Sequence, residues 1–590
     1  MKFHKIDSWA YDDSMNCMLF FASLIDEMTF NYTIDSYKAP VMNVISLLEE
    51  LFYTISDVED GLIADGAVGS IVEEVRLAIE DDEVFCQILN DHQISYVQEL
   101  FKTDNKRDLK VAIDLLSSFE TINLEYVVGL KNTLSLLIKQ NKEKKRIEKL
   151  TRLLITQLKY LGYSNEFIYH HNLRFFFSRD SKIDSVDKVD EFLTRFDFSV
   201  HHFKVVCIGE TNFRMMKSHL RKMGDNVYDD FDFSRLIDNN YEHYKREAKE
   251  KNGCYVEINV DAFDFYQARK EAFERIDKFC VLFSFFHHKT LLKVNDDCVA
   301  IDLDIKEHTY LKAPVRSIIK CGDMRPRDAN RIFRIVADNL NVEEDSMSRL
   351  LKAIWLHRQA LMSDTEENQF VNLFTALEVL MPKDVNAGKD RIRQISDVLI
   401  PVLCLAYYQK LVTSLASDLA GWKIELLKNI FKEVEEGSEL IEKFVGMLCL
   451  SKYDELRDKV YTDLTTDKNV LAVHRIYRLS EIFKKPKDTL EFIIRHEKRL
   501  RQHIDRLYRT RNMIVHSGET VENIGALLEN LHFYFDVIIN AILNNSVNRK
   551  FMKLEFTFTS AIVKYRYYKK VLETTKDFNE NNFVELILAK

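Results

Sequence analysis

Apolar residues recur every three to four positions along most of this chain, which is the spacing that lines one face of an α-helix. The spacing runs through the first 180 residues, for example over Val41–Phe52 and Ile122–Ile138, and it returns from about residue 323. Only 15 glycines and 6 prolines interrupt the 590 residues, where average usage would place about 40 and about 30. The pattern therefore predicts a mainly α-helical protein with long helices and few strands.

The middle of the chain has a different period. Three segments alternate apolar and polar side chains as strands do: Ser199–Ile208, Cys254–Val260 and Cys298–Leu303. Asp261 can cap a helix over Ala262–Phe286, between the second and third of these segments. We therefore predict three regions: a helical, acidic N-terminal region over residues 1–180, a small α+β middle domain over 181–322, and a C-terminal helical bundle over 323–590.

One helix near the C-terminus carries two polar residues on its apolar face. Asp488 and Glu491 have the spacing of a capping box, which predicts that the helix starts there. The apolar positions that follow share one face: Leu490, Ile493, Leu500, Ile504, Leu507 and Ile514. Glu497 and Arg511 break this stripe. A charge on an apolar face is costly unless it is paired or faces a wet cleft, so Arg511 is the first candidate functional residue.

His516 follows Arg511 by five positions, at the predicted end of the same helix. Gly518 comes next and can adopt the left-handed conformation that ends a helix. Similar arginine–histidine spacings occur elsewhere: Arg195 with His201 or His202, and Arg214 with His219. The first leads into a strand-like run and the second lies within a short amphipathic helix. We interpret both as coincidences and Arg511–His516 as the candidate site.

The sequence Arg511-Asn-Met-Ile-Val-His516, at a helix end between two long helices, resembles the R-x4–6-H motif of HEPN ribonucleases. The segment Asn368–Pro382 resembles the first core helix of the Apea-like HEPN group. The resemblance covers roughly the last 250 residues, which is the size of a domain. It implies a HEPN-type helical bundle that forms a homodimer, with two motifs facing one cleft.

The resemblance also implies an activity. HEPN enzymes of this group are metal-independent endoribonucleases without a cofactor, and they act as bacterial toxins or anti-phage effectors in abortive infection. We therefore expect host or phage RNA as the partner, with a phage-derived trigger as one option. The N-terminal two-thirds would then be sensor or regulatory domains.

The chemistry of RNA agrees with such a small motif. RNA carries its own nucleophile in the 2′-hydroxyl, so the protein needs a proton acceptor, a proton donor and positive charge beside the phosphate. An unperturbed histidine titrates near pH 6.5 and can serve either proton transfer. The arginine fork donates two parallel hydrogen bonds to a phosphate and stays charged. His516 and Arg511 would supply one group of each kind, which is few for a complete site, and the dimer implied by the resemblance would bring a second motif to the same cleft.

Two further residues enter through the resemblance. Asn512 matches the polar residue that the family often has after the arginine, where it would orient the histidine. The alternative is an ordinary surface amide. Glu378 resembles the acidic residue that some HEPN proteins place near the motif. The alternative is a glutamate on a helix surface.

Basic side chains precede the motif on the same helix: Arg495, Lys498, Arg499, Arg501, Arg506 and Arg509. We expect Arg499, Arg506 and Arg509 to contact the RNA backbone and Tyr508 to stack on a base. For part of this set, the alternative is an ordinary solvated helix face.

The charge of the chain is uneven. Residues 1–100 contain 20 acidic and 4 basic side chains, whereas the rest of the chain contains 73 acidic and 79 basic ones. The acidity therefore belongs to the N-terminal region alone. We hypothesise that this region docks over the basic helix at 495–511 and competes with RNA; a surface that only keeps the protein soluble is the alternative.

Several features place the protein in the cytoplasm without a membrane span. Its nine cysteines form no C-x-x-C pair, which is typical of reduced thiols. The N-terminus has no apolar stretch of a signal peptide. The longest apolar runs, Val398–Tyr408 and Phe279–Phe286, fall short of the about 20 residues that cross a bilayer.

The sequence predicts no metal site. Three His-His doublets occur, at 170–171, 201–202 and 287–288, but neighbours on a strand point to opposite faces and no carboxylate stands at ligand spacing. No Gly-rich phosphate loop, nucleophile elbow or HExxH motif is present.

Two other functions stay open. One is a non-catalytic HEPN module that binds RNA or a protein, and the presence of both Arg511 and His516 argues against it. The other is a HEPN toxin silenced by a separate nucleotidyltransferase that modifies it. HEPN proteins of that kind are usually small, without 320 residues of additional domains.

Overall fold

The computed structural model describes residues 3–63, 66–89, 94–96, 99, 101–102, 105–117, 122–233, 240–289, 291–320, 324–382, 391–518, 521, 523–547 and 551–589. The predicted fold class is confirmed: the described chain is mainly helical, with a small five-stranded antiparallel sheet in its middle region.

The helices before the sheet are α1 (Asn16–Thr29), α2 (Val44–Glu59), α3 (Gly66–Asp81), α4 (Glu83–Ile88), α5 (Lys106–Ser117), α6 (Ile122–Gln140), α7 (Lys144–Tyr160), α8 (Asn165–Asn172) and α9 (Lys188–Thr194). The sheet region contains β1 (His201–Gly209), α10 (Phe213–Lys222), β2 (Asn226–Tyr228), α11 (Asn240–Glu250), β3 (Cys254–Ala262), α12 (Phe265–Phe286), β4 (Val294–Asp302) and β5 (His308–Leu311). The three predicted strands are therefore present as β1, β3 and β4.

The helices after the sheet are α13 (Pro326–Asn339), α14 (Glu344–Met362), α15 (Glu366–Leu380), α16 (Arg391–Glu433), α17 (Leu440–Cys449), α18 (Asp454–Thr466), α19 (Val470–Ile482), α20 (Pro486–Asn512), α21 (Ile524–Val547), α22 (Leu554–Thr574) and α23 (Phe583–Leu588). The long α16 contains a non-helical residue, Lys423 (φ −149°, ψ 84°), so that it consists of two helical segments joined at a kink.

The chain divides into two compact units. The larger comprises Met1–His4, Asn31–Thr133 and Arg316–Lys590, and the smaller comprises Lys5–Phe30 and Leu134–Val315. The boundaries that we predicted at residues 180 and 322 divide the chain differently, because the N-terminal region contributes to both units. Hydrophobic periodicity marks helices but does not indicate which core each helix joins.

The smaller unit is built on the sheet, whose strand order is β2-β3-β1-β4-β5. Side chains alternate across β1, so Phe203, Val205 and Cys207 face the core formed with α12, whereas Val206 and Ile208 lie in a second cluster on the opposite face. Burial on both faces explains why this strand is apolar along most of its length.

Among the described residues of the larger unit, one core cluster is formed by side chains of the helices from α14 to α23. The stripe predicted on α20 is confirmed, since Ile493, Leu500, Ile504 and Leu507 are buried. The predicted start at Asp488 is wrong. The helix begins at Pro486, because proline at the first position has a preset φ and no N–H to satisfy.

Two helices of the larger unit, α16 and α21, are long and apolar enough to cross a membrane by length and composition. In the most apolar 18-residue window of each helix, 61% of the residues of α16 and 50% of those of α21 are buried within the protein. Burial of this kind is what a core helix of a folded unit shows.

Candidate active site

The helix α20 changes character where the candidate motif lies. It is α-helical to Asn512 and continues as a π turn over Met513–Ser517, which ends at Gly518 with a left-handed φ of +66°. In an α-helix, residues five apart lie about 140° apart around the axis. A π turn links residues five apart and is wider, so His516 departs from the position that a continued α-helix would give it. Isolated π turns of this kind occur frequently at functional sites.

The guanidinium group of Arg511 lacks an anionic partner in the described part of the chain. Its Nη1 donates a hydrogen bond to Oδ1 of Asn512 over 3.0 Å, and its Nε is buried without a hydrogen-bond partner. The side chain is half-buried. A half-buried cation that meets only a neutral amide leaves hydrogen-bonding capacity for an anion.

Glu497, the other polar residue on the apolar stripe, has hydrogen-bond partners within the protein that explain its position there. Its Oε2 accepts hydrogen bonds from Tyr565 Oη (2.8 Å) and from Lys569 Nζ (2.9 Å), both on α22. The contrast isolates Arg511 as the charge on this stripe that has no such partner.

The two other motif residues differ in exposure. Asn512 is buried (5% exposed), and its amide oxygen contacts Arg511, so the structure places it beside the arginine. The imidazole of His516 is exposed to solvent and has no hydrogen bond to another described residue. Asn512 therefore contacts the arginine, whereas the resemblance led us to expect that it orients the histidine.

Glu378 lies on α15, a helix that packs against both α20 and the π turn. Its side chain is half-buried, and in the described residues no hydrogen bond or ion pair joins it to Arg511, Asn512 or His516. The structure therefore places Glu378 on a helix that borders the motif without a direct contact to the motif residues.

Arg506 and Arg509 are engaged by carboxylates of the N-terminal helices. Glu50 on α2 accepts from Arg506 Nε (3.0 Å) and Arg509 Nη2 (2.9 Å), and Glu74 on α3 accepts from Arg506 Nη2 (2.8 Å). The side chains of the two arginines are 8% and 4% exposed. In this arrangement neither guanidinium is open to RNA, and contact with RNA would require these ion pairs to separate.

These ion pairs perturb the titration of their members. Burial alone would raise the pKa of the Glu50 carboxyl, but attraction by Arg506 and Arg509 outweighs it and lowers the pKa to about 2. Burial likewise would lower the pKa of Arg506, but Glu50 and Glu74 raise it above its ordinary value. Glu50 and Arg506 are therefore both charged near neutral pH.

The other expected RNA contacts fall into two groups. Arg499 is exposed and has no ion pair with another described residue. Tyr508 packs inward, with its ring 6.3 Å from that of Phe374 on α15. Lys498 pairs with Glu73 on α3 at 2.7 Å, where both side chains are about half exposed. Of the four predicted RNA-binding residues, Arg499 is therefore the one with a solvent-exposed side chain.

In the two arginine–histidine pairs that we interpreted as coincidences, the arginine has a structural partner. Arg195 lies over the ring of Phe175. Arg214 pairs with Asp229 (2.6 Å) and donates to the backbone oxygen of Gly253 (3.0 Å). Arg214 thus differs from Arg511, because carboxylate and carbonyl oxygens occupy its guanidinium.

Two sets of residues were missed from sequence. One is the pair Glu50 and Glu74, which lie more than 430 positions before their arginines; the acidity of residues 1–100 predicted docking of that region, but no spacing identifies these two carboxylates. The other is a cluster of potential metal ligands, His357, His532 and Asp536. The sequence shows only that His532 and Asp536 stand four positions apart, a spacing that places both on one face of a helix.

Comparison with known proteins does not identify the chain: no family model, no curated protein and no solved structure matches it.

Proposed function

We propose that this protein is a metal-independent endoribonuclease in which Arg511 and His516 cut RNA. The observation that carries the proposal is the state of Arg511: a half-buried guanidinium, bonded only to the neutral Asn512, with a buried Nε that has no partner. The other polar break in the same stripe, Glu497, is satisfied by Tyr565 and Lys569. An anion such as the RNA phosphate provides what Arg511 lacks.

The proposed reaction uses the 2′-hydroxyl of the substrate. The 2′-oxygen attacks the neighbouring phosphorus and gives up its proton to an imidazole, while the bond from phosphorus to the 5′-oxygen breaks. That oxygen leaves with a proton donated by a second imidazole, and a 2′,3′-cyclic phosphate remains. Arg511 neutralises the charge that develops on the phosphoryl oxygens. The exposed His516 is accessible to a large substrate.

One arginine and one histidine are few for this reaction, so the proposed active unit is a homodimer. If the C-terminal ends of two α20 helices meet, two copies of Arg511 and two of His516 line one solvated groove. One imidazole accepts the proton of the 2′-hydroxyl and the other donates to the leaving group. The same groove keeps two half-buried guanidinium groups beside water and phosphate.

In its biological role, we propose a cytoplasmic toxin or antiviral effector that stops growth by cutting host or phage RNA. The ion pairs of Glu50 and Glu74 with Arg506 and Arg509 support a regulatory role for the N-terminal helices, because they neutralise the basic helix that leads to the motif. We propose that release of α2 and α3 frees these arginines for the RNA backbone.

The test is the chemistry of the product. Purified full-length protein is incubated with a defined RNA and with the same RNA carrying one 2′-deoxynucleotide at the main cleavage site. We expect cuts that leave 2′,3′-cyclic phosphate ends and no cut at the deoxynucleotide. Cleavage at the deoxynucleotide, or 3′-hydroxyl ends, would contradict the mechanism. The Glu50→Gln protein, in which Arg506 and Arg509 lose their ion pairs with Glu50, is assayed in the same way. If it binds RNA without any cleavage, a binding module is favoured instead.

A further inference from the structure

Three side chains with metal-ligand chemistry converge in the larger unit. His357 lies on α14, and His532 and Asp536 lie four residues apart on one face of α21. Nε2 of His357 and Nε2 of His532 share a hydrogen bond of 2.8 Å, which a common ion would replace, and Nε2 of His532 is 3.7 Å from Oδ1 of Asp536. One potential ligand atom from each residue lies within 4.8 Å of the other two.

These separations are close to those of atoms that share one ion. Two ligands held at about 2.1 Å from a zinc ion, at angles between octahedral and tetrahedral, lie about 3.0 to 3.4 Å apart. The observed 2.8 Å and 3.7 Å bracket that interval. Small shifts of side chains therefore place all three atoms around one ion.

The carboxylate of Asp536 has no other use in the described structure. At 3.7 Å from His532 it is too far for a hydrogen bond, and it accepts none from another described residue. Its side chain is 31% exposed, whereas His532 is buried. A partly buried carboxylate beside two imidazoles gains from a cation, and its open side gives the ion a route from solvent.

The ring of His357 is held in place. It stacks on Phe535 with ring centres 5.1 Å apart and an angle of 11° between the planes. Ligand rings that are fixed before the ion arrives lower the conformational cost of binding.

A second group, His201, Asp302 and Asp304 in the smaller unit, has similar chemistry but different bonding. Asp302 already accepts from His201 Nδ1 (2.7 Å) and from the backbone N–H groups of Asp304 (2.9 Å) and Ile305 (3.1 Å). These bonds satisfy its carboxylate without an ion. The cluster on α14 and α21 is therefore the better ligand set.

We propose that His357, His532 and Asp536 bind one divalent transition-metal ion of the zinc class, with a fourth position open to water. Two imidazoles and one carboxylate suit zinc and cobalt, whereas calcium and magnesium prefer sites made of oxygen atoms alone. The ion links α14 to α21. None of its ligands is among the groups proposed to cut RNA, so this inference does not depend on the proposed function.

The test measures metal binding by the full-length protein. Chelator-treated protein is titrated with zinc and with cobalt, and the readouts are metal per chain after dialysis, the visible spectrum of bound cobalt and the shift of the melting temperature. We expect one ion per chain and a higher melting temperature with zinc. A wild-type protein that retains no metal and shows no shift would overturn the proposal.

Variants identify the ligands. Asp536→Asn is the main variant, because this side chain is partly exposed and makes no hydrogen bond that folding would lose. It should weaken binding by at least about 100-fold, whereas Asp536→His, which restores a ligand, should recover most of it. His219→Ala, in the other unit, is the matched control and should bind as the wild type does. Equal binding by Asp536→Asn and the wild type would overturn the proposal, whatever the RNA cleavage activity.

Discussion

Oε1 of Glu50 lies 2.9 Å from Nη2 of Arg509, although 459 positions separate the two residues in the chain. Their side chains are 17% and 4% exposed, so this ion pair is largely shielded from water. Glu50 also bonds Arg506, which in turn bonds Glu74. The acidic N-terminal region therefore contacts the helix that leads to Arg511, as our docking hypothesis expected. Competition with RNA is what remains to be measured.

Replacing Glu50 by glutamine should increase RNA binding and cleavage, because Arg506 and Arg509 lose their shared anion and become available to phosphate. The matched control is Glu73→Gln, since Glu73 pairs with Lys498 where both side chains are about half exposed. An exposed pair of this kind contributes below about 1 kcal/mol, and its loss should change little. A folded Glu50→Gln protein with the affinity and activity of the wild type would remove the docking hypothesis.

The same ion pair predicts how stability depends on pH. The pKa of Glu50 falls from an ordinary 4.5 to about 2 in the folded protein. A carboxyl whose pKa is lower in the folded than in the unfolded protein stabilises the fold when the pH is above the unfolded pKa. This contribution is lost as the pH falls from 4.5 towards 2. It amounts to roughly 3 kcal/mol. Melting temperatures measured between pH 6 and pH 2.5 should therefore decline less steeply for Glu50→Gln than for the wild type; parallel curves would show that Glu50 is not a source of acid sensitivity.

Parts of this architecture could be predicted from local patterns and parts could not. The spacing of Ile493, Leu500, Ile504 and Leu507 predicted their burial, because helical geometry determines which side chains share a face. The run Phe556-Thr-Phe-Thr559 alternates and favours a strand, yet it belongs to α22, where packing against α16 and α20 outweighs local preference.

Contacts between residues that are distant in the chain could not be predicted from local sequence patterns. The basic residues before the motif predicted RNA contacts, but Arg506 and Arg509 bond Glu50, whose position in space no spacing rule gives. His357 and His532 lie 175 positions apart and meet only in the folded unit. Arg511 was identified because it violates a local rule, and such violations concentrate at functional sites.

Chelation separates the proposed mechanism from metal-assisted hydrolysis. EDTA added immediately before the RNA should leave the initial cleavage rate unchanged, because the 2′-hydroxyl is the nucleophile and Arg511 provides the positive charge. The assay is run well below the melting temperature of the chelated protein, so that loss of an ion at His532 does not unfold it. Loss of cleavage in EDTA that magnesium restores would contradict the mechanism.

A mixing experiment tests whether two chains share the active groove. Arg511→Ala and His516→Ala chains are each expected to be inactive. A heterodimer keeps one arginine and one histidine in a composite groove, so one of the two proton transfers still has its imidazole, and a small part of the wild-type activity should return. The control mixture contains Arg511→Ala with the Arg511→Ala/His516→Ala double variant, whose heterodimers have no arginine at the motif and should stay inactive. A strictly monomeric wild-type protein that cuts at full rate would rule out the shared groove.

The most direct test of the central claim compares two histidines that both follow an arginine by five residues and are both exposed, His516 and His219. Single-turnover cleavage of one RNA is measured for the wild type, His516→Ala and His219→Ala, with the melting temperature of each confirming that it is folded. If His516 transfers protons in the reaction, His516→Ala lowers the rate by about 100- to 10,000-fold, and His219→Ala leaves it unchanged. Equal rates for His516→Ala and the wild type would contradict the claim that this motif cuts RNA.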